Sequence, residues 1–119
     1  MSHTNLNLES FGRAYRSLVR PLRYFAWRYM QNEDIARDIA DDVLLEFYHN
    51  DADLEQTKVQ SQVYRAVKWV CIDRLINAGE EMSDAQRLAV ALAPEEDDPF
   101  FNAVLVEAEW LNKIDEVGA

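Results

Sequence analysis

A chain of 119 residues, 49% of them hydrophobic, is long enough for one folded core and too apolar for disorder. With three Gly, three Pro and no strand-like alternation, the expected class is all-α, a compact helical bundle. No run of about 18 apolar residues occurs, which argues against a membrane span. The net charge is −10 but unevenly placed: residues 11–28 hold five Arg and no acid, and residues 33–55 hold nine acids and one Arg.

In the first segment Leu8, Phe11, Tyr15, Leu18, Leu22, Phe25 and Tyr29 recur at steps of three and four, a single helical stripe. Arg13, Arg16, Arg20 and Arg23 line the other side. Pro21 lies inside the stripe. Because proline removes a hydrogen bond and crowds the carbonyl four residues earlier, a break or kink is expected near Val19–Pro21, both halves facing one core. Asn32 then caps a second helix, with Glu33 and Asp34 favourable in its first turn. Ile35, Ile39, Val43 and Phe47, widened by Ala36, Ala40, Leu44 and Tyr48, form its apolar face. Asp34, Asp38, Asp41 and Asp42 belong to its polar side, yet Leu45 falls among them. Such a leucine is either a solitary surface residue or the anchor of a contact.

"HNDADLEQT", residues 49–57, has loop composition. A third helix is expected over Lys58–Asn77, with Val59, Val63, Val67, Val70 and Cys71 inward and Gly79 ending it. Its opposite face carries Lys58, Gln62, Arg65, Trp69, Ile72 and Ile76, with Lys68 at the flank. Exposed cations around an aromatic ring suit unpaired bases: the ring stacks and the cations meet phosphates. Ile72 and Ile76 are expected beneath the C-terminal helix. Trp69 either stacks on bases or is covered by that helix. Ser83 and Gln86 have capping-box spacing, so a short helix follows to about Leu92. "APEEDDP" reads as a mobile acidic linker, and a last helix runs from Pro99 to Ile114 with Phe101, Val104, Leu105, Ala108 and Leu111 on one side.

Enzyme chemistry finds little support. The two His stand at positions 3 and 49, and no zinc, redox, phosphate-loop or nucleophile-elbow motif occurs. No catalytic residue, metal site or cofactor is expected. The lone Cys71 cannot form an internal disulfide, and the N-terminus "MSHTNLNLES" has no export pattern, so a cytoplasmic location is expected.

The order "FGRAYRSLVRPLRYFAWRYM", "NEDIARDIADDVLLEFY", loop, "VYRAVKWVCIDRL" resembles the second conserved region of bacterial RNA polymerase sigma factors of the extracytoplasmic-function group. The family's second helix reads approximately A-x-D-[IL]-[VT]-Q-[DE]-[VT]-F-[LV], met here by Ala36, Asp38, Ile39, Ala40, Asp41, Asp42, Val43, Leu44 and Leu45. Its next helix reads approximately [LV]-[YF]-x-[IV]-[AV]-[RK]-N-x-[AC]-[IL]-[DN], met by Val63, Tyr64, Ala66, Val67, Lys68, Trp69, Cys71, Ile72 and Asp73. Three departures stand out: Trp69 replaces the usual Asn, Asp41 the usual Gln, and "INAGEE" the basic residues that commonly follow. The likeness covers residues 8–77, and residues from "EEDDPFF" onward are similar to the acidic linker and opening helix of the family's fourth region. With no helix-turn-helix beyond, the likeness is to a truncated sigma factor or a piece of a longer one.

The resemblance implies a sigma-type helical domain over residues 1–78, an acidic linker with a short helix over 79–99, and the start of a further region over 100–119. It implies docking of the second helix on the beta-prime clamp helices of the RNA polymerase core, through Asp34, Asp38, Asp41, Asp42 and Leu45. It also implies melting and reading of the promoter minus-ten element, with the non-template single strand held by Lys58, Gln62, Arg65, Lys68 and Trp69. An anti-sigma factor is the implied regulator, and no membrane is involved. The competing reading is a sigma-like interaction module that binds polymerase or an anti-sigma factor without reading DNA.

Overall fold

The computed structural model describes residues 3–78 and 81–118, with side chains described for 8–78 and 81–114. Among these residues the fold is all-α. Five helices follow in chain order: α1 His3–Met30, α2 Glu33–His49, α3 Thr57–Asn77, α4 Asp84–Leu92 and α5 Pro99–Gly118. The expected stop at Gly79 lies outside the described residues.

Of the break or kink expected near Pro21, the break is absent: α1 is continuous through it. An interior proline costs about 3 kcal/mol in an isolated helix. Here Pro21 is fully buried, and Leu18, Leu22, Phe25, Ala26 and Tyr29 around it enter the same core. Burial of one continuous apolar face against α2, α3 and α5 outweighs the lost hydrogen bond. Leu8, the first residue of the expected stripe, is exposed.

Gln31 ends α1 in the left-handed region, at φ 57°, and its N–H donates to the Trp27 carbonyl. Asn32 then caps α2 as expected: its side-chain oxygen accepts from the Ile35 N–H at 3.1 Å. This two-residue joint folds α2 back along α1. The inward face of α2 holds Ala36, Ile39, Ala40, Val43 and Leu44, with Ile35, Phe47 and Tyr48 at its margins. On α3, Val63, Val67 and Cys71 are buried, joined by Tyr64, Ile72 and Leu75, whereas Val70 faces solvent.

The capping box of α4 is present. Ser83 Oγ accepts from the Gln86 N–H, and Gln86 Oε1 accepts from the Ser83 N–H. Gln86 Nε2 also donates to the carbonyls of Tyr29 and Met30, which stand at the open C-terminal end of α1. Ser83→Ala should therefore lower stability by about 1 kcal/mol, read as a fall in the denaturation midpoint. An unchanged midpoint would mean that α4 adds nothing to the bundle.

α5 packs mainly on α1 and α4. Phe101, Val104 and Ala108 are buried, with Leu105 and Leu111 at the edge. Glu107 fixes it to α1 by accepting from the Tyr24 hydroxyl at 2.9 Å and from Arg28 Nε at 3.0 Å. Buried residues from all five helices form one cluster.

Candidate functional site

Two surfaces carry the residues singled out from the sequence. The first is the outer side of α2. Leu45 is 43% exposed, on the face away from the core residues Val43 and Leu44. Asp34, Asp38 and Asp42 are exposed, Asp34 pairing loosely with Arg37 at 3.1 Å. Asp41 departs from the expectation of a free rim acid. It accepts two hydrogen bonds from Arg23 of α1, at 3.1 and 2.8 Å, and the same guanidinium reaches the Tyr15 hydroxyl at 3.2 Å. The bond to Asp41 is the largest influence holding Arg23 more basic than usual. Asp41 thus serves the α1–α2 contact, and the acids left to the surface are Asp34, Asp38 and Asp42.

The second surface is the outer side of α3. Lys58, Gln62 and Arg65 are exposed and Trp69 is 50% exposed, so one face presents two cations, an amide and an indole. The last helix does not cover Trp69. Ile72 is buried; Ile76, expected to be covered, is exposed. Trp69, Val70, Asp73, Arg74 and Ile76 line a shallow apolar depression at this end of the face.

Lys68 corrects the sequence reading. Expected at the exposed flank, it is 3% exposed. Its Nζ donates to the Ala93 carbonyl at 2.9 Å and lies 3.0 Å from Oδ2 of Asp98, itself 2% exposed. The two opposite charges thus meet where almost no solvent reaches them. The ammonium is also 5.0 Å from the Trp69 ring centre and 5.2 Å from that of Phe101. Nor is the acidic linker the free segment expected. Asp98 Oδ1 accepts from the N–H groups of Phe100 and Phe101, capping α5, and Ala93 is buried. A cation on α3 and a carboxylate 30 positions later neutralise each other, a contact that helical periodicity does not encode.

A third feature is built on the 49–57 loop that precedes α3. Ser10, Phe11 and Arg13 of α1, Tyr48 at the end of α2 and residues 51–55 enclose a cleft of about 360 Å³. Leu54, 2% exposed, roots the loop in the core; it is the one large apolar residue of "HNDADLEQT", a signal readable in the sequence. Glu55 accepts from Ser10 Oγ at 2.7 Å and from Arg13 Nη2 at 2.9 Å. The Arg13 hydrogen bond, then that of Ser10, holds the Glu55 carboxyl below its usual 4.5. A lowered folded-state pKa means that the anchor is intact above the usual value and is lost as pH falls through the lowered one. Amides of residues 51–56 should accordingly lose protection, relative to their intrinsic exchange rates at each pH, once Glu55 is protonated, while the core of α1–α3 stays protected. Loop protection factors that do not change with acid would show that Leu54 alone holds the loop.

Among the described residues, no group of three or more His, Cys, Asp and Glu side chains is positioned to hold a metal ion, and no helix is long and apolar enough to cross a membrane. Burial raises the Cys71 thiol to about 12, so it is protonated and unreactive at neutral pH. No family model, curated protein or solved structure matches the chain.

Proposed function

We propose that this chain is a sigma-type domain of transcription initiation. It docks on the beta-prime clamp helices of the RNA polymerase core through α2 and offers α3 to the unpaired non-template strand of a minus-ten element. The observation that carries this reading is a pair of solvent-facing surfaces of opposite character. α2 presents Leu45 among Asp34, Asp38 and Asp42, and α3 presents Trp69 in line with Lys58, Gln62 and Arg65. An apolar centre with an acidic rim suits a partner helix bearing Arg and Lys around a small apolar patch. An indole flanked by cations suits stacked bases and phosphates. The cleft behind residues 51–55 adjoins the start of α3 and offers room for an extruded base. The location that follows from this role is the cytoplasm, and the implied regulator is an anti-sigma factor that competes for these surfaces. With a net charge of −10, the free chain binds DNA weakly, and polymerase supplies most of the positive field.

The burial of Lys68 favours a second reading: an interaction module that engages polymerase or an anti-sigma factor without contacting DNA. The test is polymerase assembled with this chain on a premelted promoter. Trp69→Ala should weaken DNA binding by about 1–3 kcal/mol, the worth of one stacked base. Arg65→Ala should flatten the salt dependence by somewhat under one unit of slope. If both variants bind and open the promoter as wild type does, the interaction-module reading replaces the first.

A further inference from the structure

We propose that the segment from Ala93 to Phe101 is a built-in competitor for nucleic acid. Asp98 takes the place of a phosphate on Lys68, so the α3 face exists in a latched and a released state. The inference rests on the reading of α3 as a DNA-contacting surface and adds its regulation. Lys68 is adjacent to Trp69 and one helical turn from Arg65, so its four-carbon stem could carry the ammonium to that face. In the latched state the ammonium is instead held inward by the Ala93 carbonyl at 2.9 Å and Asp98 at 3.0 Å. Phe101, the next buried residue of the segment, lies against both cations of the region, 5.2 Å from Lys68 Nζ and 5.1 Å from Arg65 Cζ. Anion and aromatic ring together reproduce what a nucleotide would offer this surface.

The latch is built to be marginal. Two charges taken out of water gain little net stability unless the polar atoms around them are also satisfied. Among the described residues, Asp98 Oδ2 has the Lys68 ammonium at 3.0 Å and no further partner, and the buried Tyr29 hydroxyl has no hydrogen-bond partner. That hydroxyl feels the Asp98 charge: burial first, and then Asp98, push its ionisation far up. A strand that offers Lys68 a phosphate in water replaces an imperfect buried contact with a solvated one. Release also loosens the first turn of α5, which Asp98 caps and which carries Phe101, so the amides of that turn make the event readable.

The experiment uses the full chain and a fluorescein-labelled oligothymidylate at low salt, with binding read by anisotropy and release read by hydrogen exchange of residues 99–108. Asp98→Asn keeps an oxygen to cap α5 but removes the charge. It should bind about tenfold tighter than wild type, through one added phosphate contact and a larger released fraction, and its α5 amides should exchange faster. Adding Lys68→Gln to Asp98→Asn should abolish the gain. If Asp98→Asn does not fold, Val104→Ala, which loosens α5 without touching the ion pair, should give a smaller gain that again requires Lys68. Unchanged affinity in the opened variant, with Trp69→Ala still weakening promoter binding on polymerase, overturns the latch and leaves the DNA reading standing. If Trp69→Ala has no effect on polymerase either, both readings fall together.

Discussion

Leu45→Asp is expected to reduce affinity for the beta-prime clamp helices by at least about thirtyfold, with the melting temperature nearly unchanged. A central apolar anchor contributes about 2 kcal/mol or more to an interface, and 1.4 kcal/mol is a factor of ten. The substitution also adds a charge at the centre of the proposed contact. Leu45 is 43% exposed and its neighbours Val43 and Leu44 supply the core contacts of that turn, so the fold loses little. The acidic rim at issue is Asp34, Asp38 and Asp42, because Asp41 is bound to Arg23. Rim acids act mainly on the rate and salt dependence of docking, whereas the leucine acts on the lifetime of the complex. Surface-captured clamp fragment and a thermal melt of the same preparation check both halves. A large loss of thermal stability would show Leu45 to be core and remove the basis of the docking surface.

Phe25→Ala should cost about 3–5 kcal/mol of folding stability, the largest loss expected from a single substitution in the chain. Phe25 is fully buried at the crossing of three helices. Its ring meets Tyr64 of α3 edge-on at 5.1 Å, Phe101 of α5 edge-on at 5.6 Å and Tyr29 of α1 at 5.3 Å. Truncation removes the transfer free energy of the ring, leaves a cavity, and deprives three aromatic neighbours of a partner. Domains of this size have only about 5–15 kcal/mol to lose, so the variant should lie near the edge of folding in mild denaturant. Equilibrium urea unfolding measures it. A loss below about 1 kcal/mol would mean that α5 and α3 do not depend on this ring for their approach to α1.

The chain's local patterns were sufficient for its elements. Apolar residues at steps of three and four marked α1, α2, α3 and α5, and short-range chemistry marked the starts of α2 and α4: the Asn32 cap and the Ser83–Gln86 box recur in the structure. The solvent-facing positions of Leu45, Arg65, Gln62 and Lys58 also follow from helical phase, whereas the exposure of Trp69 depended on where α5 packs. Pro21 does not break α1 because propensity is a local free energy, smaller than the burial that a continuous α1 gains against three other helices. The pairing of charged residues lies outside local patterns for a related reason. Arg23 with Asp41, Arg28 with Glu107 and Lys68 with Asp98 are far apart in sequence and meet only because the bundle folds back on itself. Periodicity tells which side of a helix faces in, but not which partner waits there. Tertiary packing alone turned an acidic stretch that reads as a solvated linker into a buried carboxylate on Lys68, since a charge leaves water only where a second, distant charge meets it.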